Sequence, residues 1–166
     1  KAATDPALKT RIEGVGTVIK ANIQARNEQR DRSARSEIRV GAYLGRKIVE
    51  DGVKIGLLEQ QIKANLSEAI TKNAKATLAS SLENRNATLD YMIDNLKQIG
   101  LDFPAATSAT QGELLKREFE ARAVPGYGPL VDLVVKHSQS VRGGKPADKA
   151  ALLNELKSLE GKVLSR

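Results

Sequence analysis

The run IRVGAYLGRKIVEDGVKIGLLEQQIKANLSEAI, residues 38–70, decides the fold. It admits two readings. In the first it is a helix whose apolar stripe runs through Val40, Leu44, Ile48, Ile55, Leu58, Ile62, Leu66 and Ile70, at the spacings that place residues on one helical face. In the second, IRVGAYL alternates as a strand, and KIVE and VKIG flank an Asp51-Gly52 hairpin turn. The stripe continues without a phase break into LLEQQIKANLSEAI, which is plainly helical. No second sheet signal stands elsewhere to pair with a lone hairpin, which is marginal by itself in water. The helical reading is therefore preferred, with a kink or break expected at Asp51-Gly52.

Downstream, the stripe passes through Ala74, Leu78 and Leu82. It crosses the polar Glu83-Asn84-Arg85-Asn86 and resumes at Leu89, Met92, Ile93, Leu96 and Ile99. Unbroken from residue 38 to 99 it would span about 90 Å at 1.5 Å per residue, too long for a 166-residue globule. An interruption is thus expected at 51–52, 71–75 or 84–87. Gly100 and Leu101-Asp102-Phe103-Pro104 end the segment. AATSATQG, residues 105–112, reads as a loop, from which Thr110 and Glu113 form a capping box for a helix carrying Leu114, Leu115, Phe119 and Ala123. VPGYGP, residues 124–129, is the strongest breaker in the chain. LVDLVV fits either a strand or a helix, SVRGGKP is a second loop, and Pro146-Ala147-Asp148 opens a last helix carrying Leu152, Leu153, Leu156, Leu159, Val163 and Leu164.

Upstream, Thr4-Asp5-Pro6 is a helix start. Leu8, Ile12, Val15, Ile19 and Ile23 follow at helical spacing, although Gly14 and Gly16 each cost about 1 kcal/mol against alanine. The stripe fades over residues 24–37, either a polar helical extension or a mobile connection. The expectation is one all-α domain over 1–166, an up-and-down bundle of four to five helices. Within it, 1–37 forms an N-terminal helix plus a basic arm and 38–166 the main bundle. No stretch of 18 apolar residues exists to span a membrane.

The composition removes much of the usual catalytic vocabulary. There is no cysteine, so no disulfide, thiolate metal site or cysteine nucleophile, and a single histidine forbids a His pair within one chain. The expectation is a protein that is not an enzyme and holds no metal or cofactor. Candidate motifs point the same way. Gly14-x-Gly16 lacks the preceding strand and the third glycine of a dinucleotide fingerprint, and Gly143-Gly144-Lys145 lacks the first glycine of a P-loop. His137 has no obvious nucleophile partner and reads as a structural or surface histidine. Asp90 and Asp94 share a helix face but have no histidine ligands beside them. Asn65-Leu66-Ser67 and Asn86-Ala87-Thr88 match the glycosylation pattern, lie in segments read as helical, and are taken as chance.

Two features point toward a partner. Residues 1–50 carry 11 Lys/Arg against 6 Asp/Glu, whereas residues 51–100 carry 6 of each. The excess concentrates in Arg26, Arg30, Arg32, Arg35 and Arg39, and arginine suits bidentate recognition of carboxylate or phosphate. Glu28, Asp31 and Glu37 offer local pairing, so a solvated face is the competing explanation. Gly41, Gly45, Gly52 and Gly56 lie on one helical stripe, where four glycines are costly unless another helix approaches closely. The functional expectation is a helical accessory protein docking on a larger protein assembly. The alternatives are nucleic-acid binding through Arg26–Arg39, or a helical sensor domain for a ligand or lipid, with peripheral membrane contact. The chain starts at Lys1, and KAATDPA is small and polar as after a small-residue cleavage site; the sequence leaves the compartment open, an exported or organelle-lumen location after removal of a targeting segment being one reading.

Overall fold

The computed structural model describes residues 5–164. Among them every regular element is helical: α1 Pro6–Ala64, α2 Glu68–Asp102, α3 Ala105–Ala121, α4 Gly128–Arg142, α5 Lys149–Ser158 and the single turn α6 Glu160–Val163. The chain forms two compact units, the first ending at Ser33 and the second beginning at Ala34, so the boundary falls inside α1.

In the first unit, Asp5 caps α1 by accepting the Ala7 backbone N–H at 3.0 Å; Thr4, the other residue expected in this cap, lies outside the described residues. Residues 24–33 are helical, so the polar extension is the correct alternative for this stretch.

The second unit is a helical core. Residues 38–58 are helix throughout, and Asp51-Gly52 does not interrupt them. The buried positions of this part of α1 are Ala34, Ile38, Gly41, Ala42, Gly45, Ile48, Val49 and Ile55. The centre of the face is therefore made of small residues, and Val40, which was placed on the stripe, is 44% exposed. Large side chains from the opposing helices fill the space: Met92, Leu96 and Ile99 of α2, Leu115 and Phe119 of α3, Leu130, Val131 and Val134 of α4, and Leu152 and Leu156 of α5. α4 packs on both α2 and α3.

The break between α1 and α2 falls at residues 65–67, not at any of the three sites expected. Asn65 takes a left-handed conformation with φ 48°, a role open to asparagine after a helix C-terminus. Ser67 then caps α2, accepting the Ile70 N–H at 3.1 Å. The acceptor-pattern residues 65–67 consequently sit in a turn rather than in a helix. α2 runs two residues past Gly100, whose missing Cβ accommodates the Ser138 carbonyl: a Cβ there would lie 2.6 Å from that oxygen.

Residues 105–112 are helix rather than loop. Pro104 precedes the first residue of α3, and alanine outweighs the serine and threonine of this stretch in helix propensity. Thr110 is interior to α3, so it caps nothing. Arg142, the last residue of α4, donates to the carbonyls of Gly100 at 3.2 Å and Phe103 at 2.7 Å, covering the open end of α2. LVDLVV is helical within α4, and the expected final helix is divided at Leu159 into α5 and α6. Asp148 caps α5 through the Ala151 N–H.

The breaker at 124–129 is a tight crossing. Gly126 has φ 87°, and a Cβ on it would stand 2.2 Å from the Val163 carbonyl oxygen, so glycine is required twice over. Beside it Tyr127 stacks on Phe119 with centroids 4.5 Å apart, Tyr43 meets both rings edge-on, and the Arg46 guanidinium lies 5.2 Å from the Tyr127 centroid. Desolvation in this cluster raises the Tyr127 pKa, against the opposing influence of Arg46.

Candidate functional site

The first unit carries an exposed apolar row. Ile12, Val15, Val18, Ile19 and Ile23 are each 52–63% exposed, and Leu8 is half-buried. Their spacing is the one that places side chains on one side of a helix. The sequence stripe holds Leu8, Ile12, Val15, Ile19 and Ile23, and the structure adds Val18 to the exposed set. Gly14 and Gly16 also stand in open space: a Cβ on either would meet nothing within 4 Å. Residues 6–33 hold Lys9, Arg11, Lys20, Arg26, Arg30 and Arg32 against Glu13, Glu28 and Asp31, so six positive charges face three negative ones.

The five arginines divide into two groups. Arg26, Arg30 and Arg32 are exposed, and the nearest acidic partner of Arg30 is its neighbour Asp31 at 3.9 Å. Arg35 and Arg39 belong to the second unit and turn to α3. Arg35 donates to Gln111 Oε1 at 2.9 Å, and Gln111 is 5% exposed. Arg39 Nη2 donates to both carboxylate oxygens of Glu118 at 2.8 Å. These two arginines hold α1 to α3.

The glycine stripe divides in the same way. At Gly41 a Cβ would lie 2.6 Å from Asn95 Oδ1 and 3.0 Å from both Val134 methyls. At Gly45 it would lie 3.1 Å from Leu130 Cδ2, 3.3 Å from Met92 Cε and 3.4 Å from Leu156 Cδ2. The helices that approach these two glycines belong to the chain itself. Asn95 marks the closest contact: its Nδ2 donates to the Glu37 backbone carbonyl and carboxylate, and its Oδ1 is buried without a hydrogen-bond partner. Gly52 and Gly56 differ, since a Cβ on either would meet nothing within 4 Å.

Instead, Gly52 and Gly56 form part of the wall of a cavity of about 250 Å³. Ile48, Val49 and Ile55 of α1 and Leu153 and Leu156 of α5 supply its apolar lining. Arg85 of α2 also lines it, and Arg85 Nε is buried without a hydrogen-bond partner. Glu59, Lys157 and Glu160 complete the lining and are exposed to solvent. Sequence reading missed Arg85, which stood only as part of a polar interruption in α2.

The remaining polar groups make structural links. His137 Nε2 lies 2.7 Å from Glu155 Oε2 and joins α4 to α5. An ionised carboxylate only accepts, so Nε2 carries the proton there. This bond, with Lys136, holds the Glu155 pKa below its ordinary value despite partial burial. Lys116 is bonded to Asp132 and Glu113, and its pKa is raised, chiefly by the Asp132 bond. Asp90 pairs with Lys149, and Asp94 is exposed. Among the described residues no group of three or more His, Asp or Glu side chains is placed to hold a metal ion, and no helix is long and apolar enough to cross a membrane. No family model, curated protein or solved structure matches the chain.

Proposed function

We propose that the chain is a non-catalytic helical interaction protein, an accessory subunit that docks on a larger protein assembly through the first half of α1. The observation that carries this reading is the exposed row Ile12, Val15, Val18, Ile19 and Ile23. A helix in water gains nothing by aligning five β-branched apolar residues on an exposed face, whereas seating each in a groove stabilises by about 1 kcal/mol or more. Anchors at i, i+3, i+7 and i+11 suit a helix-in-groove contact. The excess of Lys and Arg along residues 6–33, including exposed Arg26, Arg30 and Arg32, selects a partner whose groove has an acidic rim. We read residues 34–164 as the folded body that presents this helix, an up-and-down bundle of four to five main helices.

The test is purification of the full-length protein from its own source, beside the variant Ile12→Asp/Ile19→Asp. A protein partner recovered at fixed stoichiometry with the wild type and lost with the variant supports the reading. Recovery of the same partner with both refutes the role of the row. Binding to nucleic acid that weakens steeply between low and moderate salt would replace the proposal with phosphate recognition by the arginines.

A further inference from the structure

We infer that the cavity between α1, α2 and α5 is a binding site for a small amphipathic anion, a short aliphatic chain ending in a carboxylate. Four observations carry this. The cavity exists because Gly52 and Gly56 have no side chains and nothing else enters the space beside them. Its walls, Ile48, Val49, Ile55, Leu153 and Leu156, offer aliphatic contact and no hydrogen bonds. Its volume of about 250 Å³ lies under the ~300–1,000 Å³ of sites for drug-sized ligands. At roughly 30 Å³ per water-sized group it holds a chain of about eight such groups. Arg85 lines the cavity and makes no hydrogen bond or ion pair among the described residues, and a half-buried guanidinium without an acceptor is costly until one arrives. A carboxylate supplies that acceptor, and guanidinium is the side chain best matched to it.

The other charged residues fix the orientation. Glu59 and Glu160 are exposed and repel an anionic head from the mouth, with only Lys157 beside them to offset the repulsion. The head group is therefore favoured at Arg85 and the chain along the glycines. Asp51, adjacent to Gly52, has a buried Oδ2 without a partner but does not line the cavity.

The experiment is calorimetric titration of the full-length protein with sodium octanoate, beside octan-1-ol as a neutral probe of the same chain length. The wild type should bind octanoate saturably with one site. Gly52→Leu places a side chain in the cavity and should weaken octanoate and octanol alike, by tenfold or more. Arg85→Gln should weaken octanoate by about tenfold, the loss expected for a charged hydrogen bond, and leave octanol within about twofold. Gly56→Leu is the second filling variant, should Gly52→Leu unfold. Absence of saturable octanoate binding, undiminished binding in a folded filling variant, or equal loss of both probes in Arg85→Gln would each overturn the inference. Unfolding of both filling variants would overturn it too, because the cavity would not be open.

Discussion

Gly45 and Gly52 lie seven residues apart on the same stripe of α1, and the same substitution at each should change stability in opposite directions. Gly45→Leu adds four carbons where the first, Cβ, already stands 3.1–3.4 Å from Leu130, Met92 and Leu156. Those three side chains are fully buried, so none of them can swing into solvent. Overpacking of this kind costs about 1–3 kcal/mol or more, and the helix-propensity gain of ~1 kcal/mol on replacing glycine recovers only part of it. With four carbons added where the first is already tight, the upper part of that range, about 2–3 kcal/mol, applies, and the net expectation is a loss of about 1–2 kcal/mol. Gly52→Leu receives the same propensity gain with no atom in its way and adds apolar contact with the cavity walls, for a net gain of about 1 kcal/mol. In a protein of this size 1 kcal/mol moves Tm by ~2–4 °C. Thermal melts followed by circular dichroism, with urea midpoints as a second measure, should place the two variants on opposite sides of the wild type. A Gly45→Leu variant as stable as wild type, or two variants shifted in the same direction, would falsify the division of the stripe into packed and open halves.

Arg30→Gln/Arg32→Gln should leave Tm within about 1 °C, because exposed pairs contribute little. Arg39→Gln should lower Tm by a few degrees through loss of the Glu118 contact, itself about a third exposed and worth ~1 kcal/mol at most. Asn95→Leu should cost about 1–3 kcal/mol in urea unfolding, since it removes the bonds to the Glu37 carbonyl and carboxylate and crowds Gly41. The Glu155 carboxylate has a lowered pKa. Its contribution to stability is therefore complete above the ordinary carboxylate range and disappears as pH falls through the lowered value. The Tm difference between wild type and Glu155→Gln should accordingly shrink on acidification below about pH 4.5; a difference that grows instead would contradict the assigned His137–Glu155 bond.

Helix content was legible because the period from residue 38 onward is consistent over many turns. The breaks were legible only where proline and glycine make them. VPGYGP is a break, as read. The turn at 65–67 escaped notice because asparagine and serine are also tolerated in helices; what marks it is their order, a residue able to adopt positive φ followed two positions later by a capping hydroxyl. The loop assigned to AATSATQG errs for the converse reason, since Ser108, Gln111 and Gly112 are buried, Gln111 against Arg35 of α1 and Gly112 against Val135 of α4. On α1 the apolar stripe was drawn through the large residues, Val40 and Leu44, although the face of closest packing consists of Gly41, Ala42 and Gly45. Hydrophobicity locates a core-facing residue only when the gap between helices is wide enough for its side chain.

The cavity and the exposed row were not separable from core by sequence, and the reason is the same for both. Periodicity reports that a set of residues shares a side, not what stands opposite. Gly41 and Gly52 differ only in whether another helix fills the space beside them, and Ile23 and Ile38 differ only in whether one covers them. The arginine run shows the same ambiguity in charged residues. Arg32 and Arg35 are one turn apart and chemically identical, yet Arg35 has the buried Gln111 as acceptor while Arg32 is exposed. Spread evenly over one docking arm, the five arginines would have similar stability effects when replaced. With Arg35 and Arg39 bound to α3, only Arg26, Arg30 and Arg32 remain for a partner. Replacing these three should reduce association without lowering Tm, whereas replacing Arg39 should lower Tm whether or not a partner is present.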